Sequence, residues 1–136
     1  MKRLLVDAGP LVAVLAQQDE YHERCTAALG SLPGPLFSCW PVITEAAWLL
    51  QRYGNGVERL LGMLASGLVE LLPLESTEAG NLTDIMRKYR DCGIQLADAA
   101  LVYLAGRDGL DTIFTLDRRD FSIYRWGKNR TFQIIP

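Results

Sequence analysis

Histidine is almost missing from this chain, and cysteine is scarce. The single histidine, His22, lies in Asp19-Glu20-Tyr21-His22-Glu23-Arg24, which reads as an exposed helix. Serine-hydrolase or Cys–His chemistry therefore has no well-placed base. The three cysteines, Cys25, Cys39 and Cys92, are odd in number and show no Cys-x-x-Cys spacing. This argues against a disulfide framework or a zinc knuckle and for a reducing, cytoplasmic setting. Apolar runs are too short for a membrane span, and too few apolar residues follow Lys2-Arg3 before Asp7 for a signal peptide. Gly9 and the other glycines are scattered and form no phosphate-cradling loop. Repeats, linkers and low-complexity stretches are absent too.

An excess of positive charge is also lacking, the formal net charge being −2. Phosphate contacts need Lys or Arg, so this balance does not favour a nucleic-acid enzyme. The distribution is uneven, however. Arg118, Arg119, Arg125, Lys128 and Arg130 crowd the end of the chain beside Tyr124 and Trp126, and Arg87, Lys88 and Arg90 form a second group. A solvated face is the ordinary reading of such groups.

What is present suits one domain with its own core: 136 residues, 49% of them apolar and 22% charged. Lys2 to Val6 is a short apolar run ending on Asp7, the pattern of a buried strand. Gly9-Pro10 breaks it, and a helix follows over Leu11 to Ala16. A second helix is expected over Glu20 to Leu29, and a strand over Leu36 to Trp40 after Pro33-Gly34-Pro35. Pro41 closes that strand, and Thr44 is positioned to N-cap a helix carrying Ala46, Ala47, Leu49 and Leu50. Further helices are expected over Val57 to Ala65, Thr77 to Tyr89 and Leu96 to Ala105, with a turn at Asp91-Cys92-Gly93. Strands are expected over Val69 to Leu74, Thr112 to Leu116 and Phe132 to Ile135. Strands alternating with helices at these spacings imply an α/β domain whose central sheet is mostly parallel and covered on both faces.

Acids sit where the strands stop. Asp7 follows Leu4-Leu5-Val6, and Asp117 follows Ile113-Phe114-Thr115-Leu116. In open parallel sheets, ligands bind beyond the carboxyl ends of the strands, so two neighbouring strands would deliver these carboxylates face to face. Glu45, in the first turn of the expected helix after the second strand, falls at the same edge. Asp98 interrupts the apolar Ile94 to Val102 segment, where a carboxylate needs a cation, a set of hydrogen bonds or a proton. Taken singly, each acid has a plainer reading: a turn former, half of a capping arrangement, or an N-cap. Together at one edge they would repel by about 4 kcal/mol per pair at 4 Å unless a divalent cation sat among them. All-oxygen ligation suits magnesium or manganese.

These residues resemble the PIN-domain nucleases, and within them the VapC-type toxins of bacterial toxin–antitoxin pairs. The resemblance rests on Val6-Asp7-Ala8-Gly9-Pro10-Leu11, Thr44-Glu45, Tyr89-Arg90-Asp91 with Leu96-Ala97-Asp98-Ala99, and Thr115-Leu116-Asp117-Arg118-Arg119-Asp120-Phe121. Each piece is weak alone; in this order they are specific and span nearly the whole chain. The resemblance implies a three-layer α/β/α sandwich and an endoribonuclease dependent on Mg²⁺ or Mn²⁺, with carboxylate ligands at Asp7, Glu45, Asp98 and Asp117. Asp91 and Asp120 are left either as direct ligands or as groups behind them. Glu45 is open to two roles, ligand of a second ion or general base through a water. Thr115 either orients a ligand or water through its hydroxyl or is simply a strand-favouring residue.

The resemblance also implies an RNA substrate, a homodimer and an antitoxin that inserts a basic side chain among the carboxylates. Trp40, Trp48 and Tyr53 surround Glu45 in the sequence, and aromatic residues are enriched at interface cores. Core packing is the plainer reading of Trp48; the other places Trp48 and Gln51-Arg52 outward. Two rival functions remain: a PIN-like module that binds RNA or a partner but cuts poorly, which the full acid set opposes, and a receiver-like or phosphatase domain. A receiver would need a second acid beside Asp7 and a late lysine near the site, and Asp7 has no adjacent acid.

Overall fold

The computed structural model describes residues 3–32 and 34–136; Met1, Lys2 at the head of the expected first strand, and Pro33 of the expected break lie outside the described residues. Strand β1 (Leu4–Val6) is buried at every position, as its unbroken apolar run requires of a strand covered on both faces. It is followed by α1 (Ala8–Leu15), α2 (His22–Ser31), β2 (Leu36–Ser38), α3 (Trp40–Leu50), α4 (Gly56–Ala65) and β3 (Val69–Leu71). A 3₁₀ turn at Ser76–Glu78 leads to α5 (Ala79–Lys88), and another at Arg90–Cys92 leads to α6 (Leu96–Asp108). Then come β4 (Thr112–Phe114), α7 (Arg118–Ile123), the short strands β5 (Arg125–Trp126) and β6 (Arg130–Thr131), and β7 (Gln133–Ile135).

Five strands form one sheet in the order β3-β2-β1-β4-β7, every pair parallel, and helices flank it. This is the expected three-layer arrangement. The chain moves outward from β1 through β2 to β3, then returns to place β4 on the other side of β1. The point where the order reverses, between β1 and β4, is where such sheets open a crevice at their carboxyl ends. Leu5 lies opposite Ile113 there and Val6 opposite Phe114, so the residues leaving both strands emerge side by side.

Several boundaries differ from expectation. The strand expected to run to Trp40 stops at Ser38, and Pro41 lies inside the first turn of α3, where its missing N–H costs nothing. The helix therefore begins at Trp40 rather than after Thr44, whose hydroxyl instead returns to the Trp40 carbonyl at 2.9 Å. Glu45 consequently sits in the second turn of α3, not the first. The helix expected over Thr77 to Tyr89 divides, because Glu75 and Glu78 form a reciprocal cap around the 3₁₀ turn. His22 is half-buried rather than exposed, its Nδ1 2.7 Å from the Ala13 carbonyl. Neither α7 nor the β5–β6 hairpin was anticipated. The hairpin turns on Gly127 and Asn129, both in the left-handed region, and it lies against α6 at Gly106, where a Cβ would stand 3.1 Å from the Gly127 nitrogen.

Candidate active site

Asp7 leaves β1 and caps α1. One carboxylate oxygen accepts the Ala8 N–H at 2.8 Å and the other accepts the Thr115 hydroxyl, also at 2.8 Å. Thr115 is buried, and its oxygen in turn accepts the Asp117 N–H at 3.0 Å. A single hydroxyl thus ties the ends of β1 and β4 together across the switch point. Asp117 then caps α7 by accepting the Asp120 N–H at 3.0 Å. The plain capping roles are therefore real for both Asp7 and Asp117, and they fix where each carboxylate points.

Asp98 enters from α6, in its first turn, and Gln95 rather than Asp98 is the N-cap. One of its oxygens accepts the Tyr124 hydroxyl at 3.3 Å. Carboxylate oxygens of Asp98, Asp117 and Asp120 lie within 4.8 Å of one another. They open into a cavity of about 620 Å³ whose lining includes all five of Asp7, Glu45, Asp98, Asp117 and Asp120, with Gly9, Leu49, Gly93, Gln95 and Leu116 completing it. The structure thus brings the four expected acids to one cavity together with Asp120, and joins Thr115 to Asp7 and Asp117 by hydrogen bonds. Asp91 lies on the exposed Arg90–Cys92 turn and is not in that lining.

The electrostatics show what the cavity lacks. Burial raises the Asp7 carboxyl above its ordinary range, against the Thr115 and Ala8 hydrogen bonds, and the Asp117 charge adds to the rise. Glu45 is exposed as a residue, yet its carboxyl is crowded enough that partial burial, and then the Asp7 charge, push it up. Asp98 is pushed to about 7, first by burial and then by the charges of Asp7, Glu45 and Asp117. Asp120 is raised by burial and by its contact with Asp117. Among the described residues, no Lys, Arg or His lines the cavity. Five oxygen-donor acids gathered without a counter-charge fit a hard divalent cation such as magnesium or manganese, and suit zinc or copper poorly.

Sequence reasoning placed Tyr124 only beside the basic group and missed its contact with Asp98. The signal was there: Asp117, Asp120, Phe121 and Tyr124 recur at helical spacing. The basic group itself is partly occupied in holding the chain end. Arg118 donates to the Ile134 and Pro136 carbonyls, Arg125 to those of Ser122, Ile123 and Tyr124, and Arg130 stacks on Trp126. The tryptophans of α3 face outward: Trp40 is 58% and Trp48 70% exposed.

The PIN-domain family model matches residues 4–127. Ribonuclease VapC26 of Mycobacterium tuberculosis is 33% identical over 135 residues, covering 98% of this chain and all of that protein. Among solved structures, VapC20 of Mycobacterium tuberculosis, described as a sarcin–ricin-loop-cleaving toxin, superposes with a TM-score of 0.75 at 15% identity, over 81% of this chain and 86% of its own. VapBC2 from Rickettsia felis, bound to a DNA fragment from its promoter, gives 0.63 at 12% identity over 98% and 99% of the two chains. The structural likenesses share the sheet and helices described above, and the sequence match extends almost end to end. The chain belongs to the PIN-domain family and, through its VapC26 relative, to the VapC branch of it.

Proposed function

We propose that this protein is a magnesium- or manganese-dependent endoribonuclease, the toxin of a toxin–antitoxin pair. The observation that carries this reading is the gathering of Asp7, Glu45, Asp98, Asp117 and Asp120 around one cavity at the switch point of the sheet. The 33% identity to a ribonuclease supports RNA as the substrate. Asp98 and Asp117, with Asp120 beside them, would hold the cation, and Asp7 and Glu45 would complete its surroundings from β1 and α3. When bound, the ion supplies positive charge to the phosphoryl oxygens and a more acidic water. The side chains do the rest. Thr115 keeps Asp7 aimed into the cavity. Glu45, a carboxylate in the lining of the cavity, is placed to take the proton of the water that adds to phosphorus while the bond to the leaving oxygen breaks.

The setting we propose is the cytoplasm: Cys25, Cys39 and Cys92 are free thiols, and no helix among the described residues is long and apolar enough to cross a membrane. The partners are RNA, an antitoxin and a second copy of the chain. The antitoxin would offer Arg or Lys to the carboxylates, competing with the cation through charge-assisted hydrogen bonds. For the homodimer, Trp40, Trp48 and Leu96 supply an exposed apolar face beside the cavity. Light scattering on the purified chain should give twice 15.2 kDa; a clean monomer at micromolar concentration removes the dimer and leaves the nuclease reading standing.

The decisive experiment is cleavage of structured RNA by the purified protein with Mg²⁺, Mn²⁺ or EDTA, with Asp98→Asn alongside. Cleavage should need the ion and vanish in the variant. Cleavage that persists in EDTA, or in Asp98→Asn at the wild-type rate, would sink the assignment. Tight RNA binding without any cleavage would instead favour a binding module.

A further inference from the structure

Tyr124 is fully buried at the C-terminal cap of α7. Its ring meets Tyr89 edge-on at 5.0 Å and Phe121 at 5.1 Å, and Phe121 in turn meets Phe132 at 5.5 Å. Rings locked in this way cannot swing, so the position of the hydroxyl is set by the core. Packing alone would be served by phenylalanine. A buried hydroxyl is costly without a partner, and here the partner is the Asp98 carboxylate at 3.3 Å. Tyr89 offers the contrast: its hydroxyl accepts the Arg125 backbone N–H at 2.8 Å and touches no carboxylate. Asp117, Asp120 and Tyr124 also follow one another at intervals of three and four along α7, so this short helix brings all three groups to the same cluster.

We infer that Tyr124 is a positioning residue for Asp98, its fixed hydroxyl orienting that carboxylate for the cation. The inference deepens the metal-dependent reading above and rests on it. A carboxylate has about four lone-pair sites, so one hydrogen bond leaves Asp98 free to ligate. Groups behind a metal ligand typically change affinity about 10- to 100-fold when removed. At 3.3 Å the contact is longer than the 2.8 Å bond from Thr115 to Asp7, which places the expected effect at the lower end.

The test is Mn²⁺ binding to the full chain, followed by electron paramagnetic resonance, for wild type, Asp98→Asn, Tyr124→Phe and Tyr89→Phe. Tyr124→Phe should weaken Mn²⁺ about tenfold and leave the melting temperature close to wild type, with RNA cleavage recovering at saturating metal. Tyr89→Phe deletes an equivalent hydroxyl from the adjoining ring; it should lower stability and leave Mn²⁺ affinity unchanged. Wild-type affinity in Tyr124→Phe, with affinity lost in Asp98→Asn, overturns the role of Tyr124 and spares the metal site. Absence of Mn²⁺ binding in the wild type overturns both. Failure of Tyr124→Phe to fold while Tyr89→Phe folds also overturns the inference, because the hydroxyl would then be structural.

Discussion

Among the described residues, two carboxylates accept a hydrogen bond from a tyrosine, Glu78 from Tyr103 and Asp98 from Tyr124, and their surroundings drive them in opposite directions. Glu78 is held down to about 2, first by the Tyr103 hydroxyl, then by the Glu75 N–H at 2.8 Å and the Arg107 guanidinium at 3.0 Å. Asp98 is pushed up to about 7 by burial and by the charges of Asp7, Glu45 and Asp117. The hydroxyl is common to both, so the remaining neighbours decide. Glu78 belongs to a closed network whose cation, Arg107, is part of the chain and also pairs with Asp108 at 2.9 Å. The acidic cavity is an open network of one sign, whose charge is neutralised only by protons or by a cation from outside. A polar cluster that completes itself is architecture; one that requires a foreign charge is built for a ligand.

The largest effect expected from this contrast is on catalysis. Asp98→Asn or Asp7→Asn removes a charge from the open network and should lower RNA cleavage by more than about 100-fold. Both variants should fold, because each relieves carboxylate repulsion without emptying the core. Initial rates at low Mg²⁺, paired with circular dichroism, decide the matter; either variant cutting like wild type would break the comparison. Metal removal should have a matching effect. EDTA should abolish cleavage, whereas a zinc-selective chelator should leave activity and folding unchanged, since the free cysteines and His22 lack the spacing of a structural zinc site. Unfolding on zinc removal would refute this.

The centre of the sheet was readable because β1 and β4 are short apolar runs with an acid at or soon after their ends, Asp7 directly after Val6 and Asp117 three residues after Phe114. Asp98 stood out as a lone acid in an apolar helix. The start of α3 was misplaced because Pro41 breaks a strand and opens a helix equally well, and only the packed structure shows which; Glu45 moved by a turn as a result. Trp48 proved to face outward, against the plainer reading of a core tryptophan. Asp120 and Tyr124 were underread because α7 is too short for apolar periodicity to register. Asp91 shares its neighbourhood in sequence with Gly93, which lines the cavity, but the intervening 3₁₀ turn leaves Asp91 outside. Proximity in the chain does not carry over a turn.

A smaller effect should appear in stability as a function of pH, without metal. Asp98 binds its proton up to about 7 in the folded chain, against 3.8 ordinarily, so between these values the native state holds more protons than the unfolded one. Stability must then fall as pH rises through that window, by no more than about 1.4 kcal/mol per pH unit for a single group. The raised Asp7 and Glu45 carboxyls act in the same direction. The metal-free protein should melt higher at pH 5 than at pH 8, and the gap should narrow with saturating Mg²⁺ or in Asp98→Asn. A gap that ignores both would show that the cavity does not set it.

The smallest effect belongs to the closed network. Glu78 has a depressed carboxyl, so its contribution is present above the ordinary value of 4.5 and is lost as pH falls toward about 2, the reverse of Asp98. Glu78→Gln keeps one oxygen, enough for the Tyr103 hydroxyl or the Glu75 N–H but not for both on separate oxygens as the carboxylate provides, and it loses the charge opposite Arg107. The Arg107 side chain is still held by Asp108 and by the Pro73 carbonyl, so the network loosens without coming apart. Ion pairs near the surface contribute little, and the melting temperature should drop only slightly at pH 6. That drop should shrink at pH 3, where part of the wild-type advantage has already gone. Cleavage should be unchanged, because Glu78 lies outside the lining of the acidic cavity. Melting curves of both proteins at the two pH values, with cleavage measured at neutral pH, test each part. A variant that loses activity while remaining folded would mean that the two networks communicate through α6, and the distinction between a closed cluster and an open one would no longer hold.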